Sequence, residues 1–307
     1  MKTDLVTGFL GAGKTTFIQH YFRFLTGKGE RVRIIENEFG AVNVDTRLLN
    51  GLTKEIDDLA GCCMCCTGKE RFLEMLATAS KEGYDRVIVE PSGIYDVDEF
   101  FSTMETASSE GDCSIGNIIT IVDAKADEGM TEETKYLMYA QLLSSGMIIL
   151  SKTQNYDEDQ PAHTRAFLEK IIGTIDPAQH LDVPVCEKDW SAFTEDDFAA
   201  FSSCGYHTGR HKRIFMDHMT IYSSWMTGNT CRDENDLREQ IDRLFEDPLY
   251  GMVLRVKGFV RDPEKNMYEV NCTHDDRRIC RTDIKRGLLV VIGQDLNSQK
   301  LNSDFLV

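Results

Sequence analysis

Gly8-Phe9-Leu10-Gly11-Ala12-Gly13-Lys14-Thr15 fits the pattern G-x4-G-K-[ST] at every fixed position. Its flanks decide what it means. The apolar run Leu5–Thr7 comes just before it and the amphipathic stretch Phe17–Leu25 just after. The glycines therefore stand in a strand-to-helix turn, where backbone amides wrap phosphate oxygens and the helix N-terminus favours an anion. In such a loop Gly8, Gly11, Ala12, Gly13, Lys14, Thr15 and Thr16 form the cradle. Lys14 reaches the β- and γ-phosphates of a nucleoside triphosphate, and the Thr15 hydroxyl ligates Mg2+.

Outward from this loop the chain alternates. Short β-branched runs recur at Val32–Ile35, Arg86–Val89, Ile118–Val122 and Met147–Leu150, with a weaker one at Val183–Val185. Amphipathic stretches such as Arg71–Ala79 and Arg165–Ile172 lie between them. The rhythm predicts an α/β fold, a P-loop domain over residues 1–205 with a mostly parallel sheet and helices on both faces. Cys204–Arg213 is polar and contains Gly205 and Gly209, which predicts a linker at 206–213. His207 and His211 in it lack a third ligand, so a metal site there is not expected. Beyond it a strand at Ile214–Tyr222 precedes a helix at Asp233–Phe245, whose Leu237, Ile241, Leu244 and Phe245 share a face. Strands at Met252–Val260, Met267–Cys272, Arg277–Arg281 and Leu288–Ile292 complete a small α+β domain, 214–307, with an antiparallel sheet. A length of 307 residues suits two domains.

Two more strand ends carry chemistry. In Val87-Ile88-Val89-Glu90-Pro91-Ser92-Gly93 an acidic residue closes a buried strand and a glycine follows. Glu90 is placed to hold the metal through water or to orient the attacking water, and the Gly93 amide to sense the γ-phosphate, so that its loop moves on hydrolysis. After Met147–Leu150 comes Ser151-Lys152-Thr153-Gln154, where GTPases usually carry N-K-x-D. Lys152 can still lay its stem along a base, but Gln154 offers a carbonyl oxygen where a carboxylate would accept from guanine N1 and N2. Guanine preference is expected, in weakened form.

Composition narrows the partners. With 34 basic and 51 acidic residues the formal charge is −17, which argues against nucleic acid and anionic membranes. Between Tyr156 and Ala200 acidic residues outnumber basic ones 11 to 3, which reads as a solvated surface. No apolar run approaches the length of a membrane span, and Met1-Lys2-Thr3-Asp4 leads straight into a strand without a signal-peptide pattern. A cytoplasmic protein is expected.

For such a compartment ten cysteines are many. Six are scattered (Cys113, Cys186, Cys204, Cys231, Cys272 and Cys280) and read as small buried or idle residues. Cys62, Cys63, Cys65 and Cys66 fall within five positions, between the phosphate loop and Glu90. Thiolates are soft ligands that suit Zn2+, and Lys69, Arg71 and the following helix N-terminus favour the deprotonated form. One clustered turn makes an open, exchangeable site rather than a closed structural one, and Glu36 or Cys62 could complete it. Redox chemistry and an iron–sulfur cluster are the rival uses. Cys62 and Cys65 have C-x-x-C spacing, but outside a thioredoxin-like setting.

GFLGAGKTT (Gly8–Thr16), ENEFG (Glu36–Gly40), C-x-C-C (Cys63–Cys66), the Glu90–Gly93 strand end and Gly251–Gly258 together resemble the CobW family. These are P-loop GTPases related to the nickel-delivery GTPases of urease and hydrogenase maturation. The resemblance implies a slow, GTP-dependent metallochaperone that binds GTP or GDP and Mg2+, and passes Zn2+ or Co2+ to a client metalloprotein. It makes Cys63, Cys65 and Cys66 metal ligands, with Glu36 as a switch or auxiliary ligand, and it leaves homo-oligomerisation open. Ala41 stands where many relatives carry a second Glu, and Cys62 where Gly commonly precedes C-x-C-C. There is no histidine-rich tract, which argues against bulk metal storage. A second reading is a nucleotide-regulated metal-sequestering or metal-sensing protein without directed insertion.

Overall fold

A computed structural model describes residues 1–37, 56–59, 68–109, 113–126, 129–209, 221–228, 232–285 and 287–305. The chain divides into two compact units, Met1–Ile214 and Phe215–Val307.

In the first unit seven strands form one sheet: β1 (Lys2–Thr7), β2 (Val32–Glu36), β3 (Ile56–Asp58), β4 (Arg86–Glu90), β5 (Ser114–Asp123), β6 (Met147–Ser151) and β7 (Val185–Cys186). Their order is β3-β2-β4-β1-β5-β6-β7, and every pairing is parallel. Parallel pairing demands crossovers, and the helices that supply them cover both faces. Leu5, Val87, Val89 and Ile118 pack against Phe72 and Leu76 of α2 (Lys69–Lys81) and Phe100 and Met104 of α3 (Val97–Ser109). Further along that sheet, Val122, Ile148 and Leu150 pack against α4 (Glu132–Ser144) and α5 (Gln160–Ile175). Val6, Ile88, Ile119, Ile121 and Ile149 point the other way, onto Phe17, Ile18 and Tyr21 of α1 (Lys14–Gly27) and Phe201 of α6 (Glu195–Phe201). The side-chain period of two along each strand thus divides the apolar residues between two helix layers.

This is the expected P-loop α/β architecture, with longer strands than the apolar runs alone mark. β5 starts four residues earlier than expected, at Ser114, because it pairs with β1 from Lys2 onward. The weak strand near 183 is the two-residue β7 at the sheet edge. The segment expected as a linker begins against this first unit: Tyr206 bridges Ser145 and the His207 amide donates to the Ser144 carbonyl at 3.0 Å. His211 lies outside the described residues.

The second unit is an antiparallel five-stranded sheet, ordered β11-β10-β9-β12-β8. Its strands are β8 (Tyr222–Thr227), β9 (Met252–Arg261), β10 (Met267–Thr273), β11 (Arg277–Thr282) and β12 (Leu288–Gln294). α7 (Glu234–Glu246) and α8 (Ser298–Phe305) lay Leu237, Ile241, Leu244, Leu301 and Phe305 on Val256, Val260, Val270 and Val291. Tyr222, the last residue of the strand expected over 214–222, opens the described strand, which pairs there in register with Gln294 and runs to Thr227. Residues 214–220 lie outside the described residues. Among the described residues no helix is long and apolar enough to cross a membrane.

Candidate functional site

The strand order reverses around β1, whose neighbours are β4 and β5, and the carboxyl ends at such a switch point form a crevice. The phosphate loop leaves β1 there. Gly8 has φ +138°, and a Cβ on it would collide with the Ile121 carbonyl oxygen of β5. Gly13 has φ +100° and caps α1 without a side-chain acceptor. No capping side chain competes for the first amides of α1, which suits them to bind an anion.

Lys14 is buried at 6% exposure, and its Nζ donates to the carbonyl oxygens of Gly8 at 3.0 Å and Phe9 at 3.3 Å. An ammonium held by backbone oxygens inside the loop is already in place for phosphate oxygens to take over. Thr15 Oγ1 donates to Glu90 Oε1 at 2.8 Å, which joins the loop to the end of β4. Two hard oxygen donors beside a phosphate cradle fit Mg2+. Thr16, the next residue, is exposed.

Gly93 has another reason to be glycine. A Cβ there would lie 2.5 Å from the Leu10 amide nitrogen and 2.8 Å from Leu10 Cα, so its backbone rests directly on the phosphate loop. One strand further out, Glu36 is buried at 2% exposure and stands in register with Glu90. The Asn37 amide donates to the Glu90 carbonyl at 2.8 Å, and the Leu59 amide to the Glu36 carbonyl at 3.0 Å. The carboxyl ends of β3, β2 and β4 are thereby tied together, with Asp58, Glu36 and Glu90 at matching register positions.

The predicted metal ligands Cys63, Cys65 and Cys66, with Cys62, lie outside the described residues. The chain enters that segment just after Leu59, beside Glu36, and leaves it at Gly68, the N-cap of α2. Lys69 donates to Ser102 Oγ at 3.1 Å. Among the described residues no three histidine, cysteine, aspartate or glutamate side chains gather as a metal site. Burial, then the carboxylate of Asp4, pushes the Cys204 thiol up to about 12, and burial pushes Cys272 up to about 11. Such thiols stay protonated at neutral pH and make poor ligands.

At the loop expected to receive the base, Ser151 closes β6 in register with Asp123 of β5. Lys152 takes a left-handed backbone, φ +59°, and its Nζ pairs with Asp123 Oδ2 at 2.7 Å. Gln154 sits exposed in the following 3-10 turn. Asp123 is absent from the sequence-based candidates, although it closes a buried strand one residue past the apolar run, as Glu90 does. Trp190 is absent too, hidden in a stretch whose acidity suggests only solvated surface. Its indole Nε1 donates to the Leu150 carbonyl at 2.8 Å.

A model of the CobW/HypB/UreG nucleotide-binding domain matches residues 2–179. The chain belongs to this family. Among CobW relatives, it is 27% identical to the "Zinc chaperone CobW" of Pseudomonas aeruginosa, over 97% of this chain and 88% of that protein. It is 33% identical to the "Zinc chaperone YjiA" of Escherichia coli, over 54% of this chain and 53% of that protein. The solved structure of Zn(II)-bound YjiA GTPase from E. coli aligns with 99% of this chain and 97% of its own, at 19% identity and a TM-score of 0.39.

Proposed function

We propose that the chain is a GTP-dependent metallochaperone or metal-insertion GTPase. It takes a Zn2+- or Co2+-type ion as cargo on Cys63, Cys65 and Cys66, with Glu36 as auxiliary ligand, and couples slow GTP hydrolysis to delivery of that ion to a client metalloprotein. The observation that carries this reading is the register pair Glu36–Glu90 on adjacent strands, with Glu90 bonded to Thr15 of the phosphate loop. In this reading one strand end serves the nucleotide, and its neighbour is bonded to Leu59, the last described residue before the cysteines in the chain. The zinc-chaperone names of the relatives support the choice of cargo.

In this reading the loop amides and Lys14 bind the β- and γ-phosphates, and the Gly93 amide contacts the γ-phosphate. Glu90 orients the attacking water, and Ser151, Lys152 and Gln154 receive the base. Thr15 would hold Mg2+, which would supply positive charge to offset the negative charge that develops during transfer. On nucleotide binding Thr15 would release its hydrogen bond to Glu90. That change at the end of β4 is passed to Glu36 through the Asn37 bond.

Competitive Zn2+ and Co2+ titration with GTP, GDP and ATP analogues tests metal, nucleotide and coupling together. Mg2+–GTP is expected to raise metal affinity by roughly 5- to 150-fold, the usual span of coupling between two sites, and reciprocally the metal raises GTP affinity. Cys65→Ser is expected to abolish tight metal binding and leave GTP binding intact. Equal metal affinity with and without nucleotide would sink the coupling and favour simple sequestration.

A further inference from the structure

The phosphate loop and the base loop need a fixed spacing if one rigid nucleotide is to engage both. Among the described residues, Ser151 does not supply a polar link between them. Ser151 Oγ lies 3.8 Å from where a Cβ on Gly13 would sit, yet it is buried without a hydrogen-bond partner among those residues. Trp190 occupies that junction instead. Its Cη2 is 3.4 Å from the same point above Gly13, and its N–H donates to the carbonyl of Leu150, the residue before Ser151.

The ring is fixed from behind. It meets Phe17 of α1 edge-on at 5.9 Å and 68°, and stacks on Phe193 at 6.1 Å and 26°. Phe193 in turn packs against Phe198 and Phe201 of α6. The indole therefore spans the phosphate loop, the first turns of α1 and the end of β6, and it is backed by an aromatic cluster that leaves it little rotational freedom.

We infer that Trp190 is a positioning residue that sets the phosphate loop against the base loop and so holds the two halves of the nucleotide at one spacing. The inference rests on the nucleotide-binding reading above. Its physical content is that two halves bound at the correct spacing gain from their connection, because the second half binds at high effective concentration. Loosening the spacing weakens the whole ligand and spares the fragments.

The chain has two tryptophans, so Trp225→Phe leaves Trp190 as the sole indole. In that background GTP with Mg2+ is expected to change Trp190 emission saturably. By calorimetry on the full chain, Trp190→Phe keeps an aromatic ring, loses the bond to Leu150, and is expected to weaken GTP about fivefold. Trp190→Ala is expected to weaken it roughly twentyfold, as packing is lost as well. Inorganic triphosphate should bind both variants within about twofold of the parent, since it engages only the phosphate loop. Equal weakening of GTP and triphosphate would reduce Trp190 to a local prop of the phosphate loop and overturn the inference. Unchanged GTP affinity in Trp190→Phe, or an indole silent to GTP, would overturn it too. A parent chain that binds no GTP brings down the nucleotide reading itself, an outcome distinct from a parent that binds while the Trp190 variants behave like it.

Discussion

The two ends of the proposed nucleotide site are held by different means. At the phosphate end the decisive contacts involve backbone: Gly8 against the Ile121 carbonyl, Gly93 against Leu10, and Lys14 against the Gly8 and Phe9 carbonyls. At the base end they involve side chains: the Lys152–Asp123 ion pair, exposed Gln154, and Trp190 on Leu150. Backbone contacts at van der Waals limits tolerate almost no substitution, whereas side chains can be exchanged one at a time. On the proposed reading, grip on phosphate is therefore rigidly specified by this fold, and choice of base is adjustable.

The contrast breaks first at Lys14. Lys14→Ala removes the charged donor and is expected to cost roughly a hundredfold in GTP affinity, the order of a charged hydrogen bond or two, measured by calorimetry. A loss of less than a few-fold would mean that the backbone alone holds the phosphates. At the base end, Gln154→Asp supplies the missing carboxylate and is expected to raise the preference for GTP over ATP by roughly tenfold. Unaltered preference would show that residue 154 does not face the base.

Smaller effects sharpen the comparison through the support behind Trp190. α6 begins with a capping box: the Asp197 amide bonds Thr194 Oγ1, and Asp197 Oδ2 accepts from the Thr194 amide at 2.7 Å. Thr194→Ala is expected to destabilise the first unit by about 1 kcal/mol, seen as a lower Tm. The smallest effect is one of pH. Lys188 and the Thr194 donors hold the Asp197 carboxyl down to about 2, from an ordinary 3.8. A depressed acid adds stability above its ordinary range and loses it as pH falls toward 2. Asp197→Asn should narrow the difference between melting at pH 5 and at pH 2, slightly, because the pair is exposed to solvent. An unchanged difference would show that the pair contributes nothing.

What the sequence discloses follows the same division. β1, the phosphate loop and α1 are legible because a fixed-spacing motif sits between an apolar run and an amphipathic one. The C-terminal sheet is legible because β9 and β12 are marked by apolar runs, β10 alternates, and helix α7 is strongly one-faced. α4 is hard to read because Leu137 to Ser144 are all buried, so it shows no polar face and no period. β3 is three residues long, too short for any pattern, and it gains its place by pairing with β2. Lys14, Thr15, Glu90 and Gly93 lie around one loop, through the Lys14–Gly8 and Thr15–Glu90 bonds and the Gly93–Leu10 approach. Trp190 is not foreseeable, since what it joins, Gly13 and the Leu150 carbonyl, lies far away in the chain and neither marks a sequence.

The contact between Gly93 and Leu10 has a mechanical consequence. Most junctions between protein segments are cushioned by side chains that can change rotamer and absorb a displacement of a few tenths of an ångström. Here two main chains bear on each other with nothing compressible between them. A rise or fall of the phosphate loop must be taken up by residues 91–95, which lead into the first turn of α3. Like a gear pair without backlash, the joint converts the smallest stroke at the loop into movement on the far side.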